Sequence, residues 1–182
     1  LIPLLEIEGD LFVMLTERSN QLSSHAGQVA FPGGKEESQD KNSLQTALRE
    51  SHEEIGLDPG KVEILGKLDQ ILSLHNYLVT PFVGLIPRDF DPIPNPHEIE
   101  SVFKVPLSFF MTSDKHWSEE FQTSSSVVLV HHFDFNGYDI WGLTSKLILR
   151  FLEIGLGYVP DFPVHHPDYP NWIERTLNYD GR

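Results

Sequence analysis

The stretch Arg49-Glu50-Ser51-His52-Glu53-Glu54-Ile55-Gly56 places three carboxylates within five positions, just before a glycine. On a helix, Glu50 and Glu54 stand about 40° apart around the axis, with Glu53 about 60° to the other side of Glu50. All three would share one face, opposite Leu44, Leu48 and Ile55. Like charges at that spacing cost roughly 0.2–0.5 kcal/mol per pair. They would also sit at the negative end of the helix dipole. Two broken local rules in one place point to a site that needs the charge. Hard oxygen ligands select Mg²⁺ or Mn²⁺ over zinc. A solvated polar face is the other reading of the carboxylates alone. Two neighbours favour the site. Pro32-Gly33-Gly34 lies upstream, and glycine lets backbone carbonyls and amides approach a metal or phosphate closely. Arg49, beside Glu50, can hold a carboxylate with two parallel hydrogen bonds.

The elements that must position these groups follow from pattern. Leu44, Ala47, Leu48, Ser51 and Ile55 repeat at helical spacing, which predicts a helix over Ser43–Ile55, capped by Ser43 and stopped by Gly56. Residues 4–7 and 11–16 read as strands around Gly9-Asp10, and 29–31 as a short strand ended by the Pro-Gly-Gly turn. Strands are expected over 62–72 and 76–86, the second nearly all apolar and therefore central, with Pro81 marking a bulge or local edge. Residues 87–97 form a proline-rich loop. A strand over 102–105, a short helix opened by Pro106 and a polar loop over 113–125 follow. Asn136-Gly137 predicts a hairpin joining 127–135 to 138–141. A second long helix runs over 144–155 with Leu147, Ile148, Phe151 and Leu152 inward. The domain is expected to span 1–157, with 158–182 a Pro- and His-rich extension packed on it. A first residue other than Met leads us to expect that native terminal segments are missing.

With 182 residues, the chain is long enough to bury a sizeable core. Its 13 basic and 27 acidic side chains give a net charge of −14, which argues against general nucleic-acid or anionic-membrane binding. An anionic substrate would then need a bound divalent cation to neutralise it. With no cysteine, a disulfide scaffold, a thiol nucleophile and a thiolate zinc site are excluded. No apolar run approaches the roughly 18–20 residues that span a bilayer. Adjacent histidines on a strand point to opposite faces, so His131 and His132 do not readily share one ion. His165-His166 lies in the tail and is not assigned a metal either. Phe109, Phe110 and Trp141 are assigned to the core rather than to an adenine platform.

The run from Gly33 to Leu57, GGKEESQDKNSLQTALRESHEEIGL, resembles the Nudix box. Gly34, Arg49, Glu50, Glu53, Glu54, Gly56 and Leu57 match its pattern. Asp40 stands where its first glutamate belongs, the following stretch is one residue longer, and Ser51 replaces an aliphatic residue. The preceding block, MLTERSNQLSSHAGQVAFPGG, is similar to that of the coenzyme A diphosphatases. Leu15, Thr16, Arg18, Ser19, Gly27, Phe31, Pro32, Gly33 and Gly34 match, and Ser23 stands in place of an arginine. Later segments resemble the same enzymes, nearest the peroxisomal form.

The resemblance implies a Nudix fold of the α+β class, a mixed sheet sandwiched between helices. It implies hydrolysis of the diphosphate of coenzyme A and acyl-CoAs with Mg²⁺ or Mn²⁺, in a monomer or homodimer. Glu50, Glu53, Glu54 and the Gly34 carbonyl would hold metal, and Arg49 would orient Glu50. Glu98 would be general base or extra ligand. Arg18, Phe31, Gly33 and Gly34 would contact substrate. A peroxisomal site is implied, with cytoplasm or mitochondrion as alternatives. Another nucleoside diphosphate conjugate (ADP-ribose, NADH or an RNA cap) remains a rival substrate. A non-catalytic binding module is the rival from another class.

Overall fold

The computed structural model describes residues 1–73, 77–112, 114–122 and 127–159. Along them run β1 (Ile2–Ile7), β2 (Asp10–Arg18), β3 (Val29–Ala30), α1 (Ser43–Ile55), β4 (Glu63–Lys67), β5 (Ile71–Leu72), β6 (Leu78–Val79) and β7 (Phe82–Leu85). Then come β8 (Ile99–Pro106), α2 (Leu107–Thr112), β9 (His116–Gln122), β10 (Val127–Phe135), β11 (Tyr138–Trp141) and α3 (Gly142–Leu156). The expected tail, including His165-His166, lies outside the described residues.

β2 is the spine of a six-stranded sheet. One of its edges carries β8, from Phe12↔Pro106 to Arg18↔Ile99. The other carries β1 and then β3 in succession, for example Leu4↔Val13 and Thr16↔Ala30. β1 runs parallel to β7, and β7 antiparallel to β4, so the sheet is mixed. Alternation along the strands sends side chains to both faces. Leu4, Val13 and Leu15 face a core shared with Phe110 of α2 and Leu147, Ile148, Phe151 and Leu152 of α3. Leu5 and Met14 face a second core closed by Ala47 and Ile55 of α1. Helices therefore cover both faces, which is why β1 and β2 read as continuous apolar runs. β9, β10 and β11 form a separate antiparallel sheet.

Several expectations are corrected. The cap of α1 is Asn42, whose Oδ1 accepts from the Gln45 amide at 2.9 Å; Ser43 is already helical. The strand expected over 62–72 is two, β4 and β5, and the one over 76–86 breaks at Pro81 into β6 and β7. Proline has no N–H to give a ladder. The Pro81 carbonyl instead accepts from the Leu68 amide at 2.9 Å. The bulge falls in β4, between Ile64 and Gly66. The loop expected over 113–125 contains β9, zipped to β10 from Val127↔Gln122 to Phe133↔His116. Its polar residues misled the pattern: His116, Ser118 and Glu119 are buried. β8 begins at Ile99, earlier than 102.

His131 and His132 do diverge. His131 Nδ1 lies 2.9 Å from Ser118 Oγ and 3.1 Å from His116 Nε2. His132 is stacked between Trp117 and Trp141 and bonds Asp139 at 3.0 Å. Phe109 and Phe110 pack in the core as expected, whereas Trp141 is half-buried on His132.

Candidate active site

The glycine turn after β3 is pressed onto the last two turns of α1. The Gly33 amide donates to Glu54 Oε2 at 3.0 Å. Gly33 has φ +151°, a backbone state that side chains disfavour. A Cβ on Gly34 would lie 2.3 Å from the Glu50 carboxyl carbon, so a side chain there would have to displace that carboxylate. The close approach seen at Gly33-Gly34 is to the two carboxylates.

The three glutamates differ in surroundings. Glu54 is buried, only 2% exposed. Glu53 is exposed and Glu50 half-buried. The Glu54 pKa is raised to about 7, mainly by burial, with the Gly33 amide and Arg18 pulling it down and Glu50 and Glu98 pushing it up. Burial also raises that of Glu50, against the pull of Arg49, with Glu53 and Glu98 adding repulsion. Three acids, Glu50, Glu54 and Glu98, therefore feel one another in a poorly hydrated place.

Glu98 arrives from a distant loop by hydrogen bonding. The last carbonyls of a helix lack partners within it. Those of Glu54 and Ile55 accept from the amides of Asn95, at 2.8 Å, and Ile93, at 2.9 Å. Asn95 Nδ2 then donates to Glu98 Oε1 at 3.1 Å. The role of Asn95 was missed; its sequence signal is an Asn-Pro turn just before the acid. Arg18 comes from the end of β2, where the register with β8 slips between Glu17 and Arg18. Such a bulge re-aims a side chain. Arg18 Nη1 lies 3.8 Å from Glu54 Oε1, and its buried Nε has no hydrogen-bond partner among the described residues. Phe31 is half-buried against the main core.

Arg49 does not hold Glu50 with two parallel bonds. Its forked pair goes to Asp40, from Nε at 3.0 Å and Nη2 at 3.0 Å. Single bonds reach Glu50 at 2.9 Å, Glu53 at 2.8 Å and the Lys35 carbonyl at 3.0 Å. Asp40 also accepts from Thr46 Oγ1 and the Glu37 amide, and the Arg49 bonds hold its pKa down at about 2. The shorter acid thus ties the loop over 35–42 to α1. Ser51, fully buried, donates to the Ala47 carbonyl at 2.6 Å, so its hydroxyl is satisfied within the helix.

Crowded carboxylate oxygens, mutually repelling and partly dehydrated, have the donor chemistry of a divalent-cation site. Among the described residues no three such groups yet converge on one point. Glu50 and Glu53 are turned to Arg49, and Glu54 to Gly33. Glu50 and Glu54 flank the glycine turn, and Glu53 is exposed one residue before Glu54.

A mixed sheet between helices, with an Arg-Glu-x-x-Glu-Glu helix packed under a glycine turn, defines the class to which this chain is compared. The NUDIX domain model matches residues 1–127, and the chain belongs to the Nudix hydrolase family. It is 42% identical over 169 residues to "Nudix hydrolase 15, mitochondrial" of Arabidopsis thaliana, covering 89% of this chain and 59% of that protein. It is 37% identical over 187 residues to "Peroxisomal coenzyme A diphosphatase NUDT7" of Mus musculus, covering 97% and 78%. The chain thus spans under two thirds of the first of these relatives. A Caenorhabditis elegans Ap4A hydrolase structure superposes with a TM-score of 0.51 at 16% identity, over 59% of this chain and 77% of that one, a likeness of fold alone. Nudix hydrolases generally use divalent cations such as Mg²⁺. No helix among the described residues is long and apolar enough to cross a membrane.

Proposed function

We propose that this chain hydrolyses the diphosphate of coenzyme A and its acyl thioesters, yielding 3′,5′-ADP and 4′-phosphopantetheine or its acyl form. The observation that carries this is the gathering of Glu50, Glu54 and Glu98 around the Gly33-Gly34 turn, beside Arg18. The mouse relative's name supports the substrate, as do the matches of Arg18, Gly33 and Gly34 to the block before the box. Glu50, Glu53 and Glu54, with the Gly34 carbonyl, would hold Mg²⁺ or Mn²⁺. Such an ion neutralises phosphoryl charge and lowers the pKa of a bound water.

The protein's own groups do the rest. Arg18 offers a cation and a buried N–H to a substrate phosphate. Arg49 fixes Glu50 by a single charged hydrogen bond and keeps Glu53 nearby. Asn95 steadies Glu98, which we assign to proton abstraction or to a further ligand position. Phe31 and the glycine turn contact the substrate. The substrate is a small molecule, and the chain acts as a monomer or homodimer. The names of relatives point to mitochondrion and peroxisome, so kinship does not select a compartment.

The test is a panel of CoA, acetyl-CoA, ADP-ribose and NADH with Mg²⁺, with products identified. CoA and acetyl-CoA should be cleaved at the diphosphate. Glu53→Gln and Glu54→Gln should each lower turnover by two or more orders of magnitude with folding kept. Wild-type rates in either would falsify the metal assignment. Preferential cleavage of ADP-ribose or NADH would establish the rival substrate, against which the block before the box argues, Ser23 in place of the family arginine being its weak point.

A further inference from the structure

Away from the carboxylates lies a cavity of about 550 Å³, walled by Ile71 and Leu72 of β5, Leu129 and Val130 of β10, and Leu143 and Leu149 of α3. That is the size of a small-molecule site. Its charges cancel. Arg150 donates to Asp69 and to Glu153, each at 2.6 Å, which leaves Lys146, exposed, as the fourth charged group. An anion finds little here, whereas hydrocarbon finds leucine and isoleucine. Leu72, 61% exposed, and Leu129, 43% exposed, leave apolar surface open at the mouth.

The cavity walls are tied to both ends of the segment bearing the glycine turn. Thr144, one residue beyond Leu143, donates from Oγ1 to the Val29 carbonyl at 2.9 Å. Lys35 Nζ sits 4.6 Å from the centre of the Tyr77 ring, and the Tyr77 carbonyl accepts from the amide of Ser73, another cavity residue, at 2.8 Å. Through Tyr77 and Lys35, the residue after Gly34, the rim of the cavity at Ser73 is connected to the glycine turn.

We infer that this cavity receives the acyl chain of the thioester substrate, with Leu143, Leu149 and Leu72 setting how much chain is accepted. The inference rests on the coenzyme A reading of the diphosphate site. Each methylene buried should tighten binding by up to about fourfold.

The experiment is calorimetry with Ca²⁺ in place of Mg²⁺, the CoA esters being checked for hydrolysis after each titration, with CoA, butyryl-CoA, octanoyl-CoA and free octanoate. Octanoyl-CoA should bind at least about tenfold tighter than CoA. Leu149→Trp, which fills the cavity, should erase that gain while CoA affinity stays unchanged. Leu72→Asn, at an exposed position where folding is not at stake, should reduce it. Equal affinities for CoA and octanoyl-CoA overturn the assignment, as does a gain that survives Leu149→Trp in a variant that melts like wild type. Octanoate binding as tightly as octanoyl-CoA also overturns it, in favour of an unrelated lipid. A chain-length gain without Mg²⁺-dependent hydrolysis sinks the proposed activity and leaves the cavity standing. Hydrolysis without a gain does the reverse.

Discussion

Glu54 stores an electrostatic conflict that can be measured. Its pKa is raised to about 7 from an ordinary 4.5, mainly by burial. An acid with a raised folded pKa binds its proton more tightly when folded, so ionising it destabilises the fold. The penalty is absent below about pH 4.5 and complete above about pH 7. Its ceiling is about 3 kcal/mol. In EDTA, the stability of wild type relative to Glu54→Gln should therefore fall by roughly 2–3 kcal/mol between about pH 5 and pH 8, read by denaturant unfolding. A difference that stays flat refutes the burial argument. The comparison with Glu54→Gln cancels His116, whose pKa is lowered to about 3 by burial and whose stability contribution is lost as pH falls below 6.5. It cancels Glu119 too, which burial raises like Glu54. At this scale the sequence was informative about identity and poor about conformation. The spacing of the acids and the glycines was legible. That Arg49 would fork onto Asp40 rather than Glu50 was not, because rotamer choice depends on where the loop over 35–42 lies.

The helix bearing the three glutamates depends on its ends. Asn42 caps the start, and Gly56, at φ +73°, turns the chain out of the helix. Asn42→Ala should lower stability by about 1 kcal/mol. CoA turnover should stay near wild type, because the cap lies at the end of α1 away from the glutamates. A loss of turnover without a loss of stability would show that the cap does more than hold the helix. Helical periodicity made both bounds of α1 legible, and Asn136-Gly137 made the β10–β11 hairpin legible. β9 was hidden because its inward residues, His116, Ser118 and Glu119, are polar and defeat a pattern that equates burial with apolar character. The division of β4 from β5 was hidden because apolar runs do not reveal where pairing stops.

The whole molecule carries −14 and acts, on our reading, upon an anion. Its far field repels such a substrate, opposite to the steering that basic enzymes use. Monovalent salt shortens the reach of that field to about 8 Å at 0.15 M. At saturating Mg²⁺, kcat/KM for CoA should therefore rise between about 20 and 150 mM KCl. A fall would mean that local cations such as Arg18 dominate encounter.

The loop carrying Asn95 seals the carbonyl end of α1 with its own amides. The helix terminus therefore cannot fray unless that loop departs, and Glu98 leaves with it. Unwinding of α1 and displacement of Glu98 become a single event. The Asn95 amide hydrogen, trapped against the Glu54 carbonyl, should exchange with deuterium only as often as this assembly comes apart.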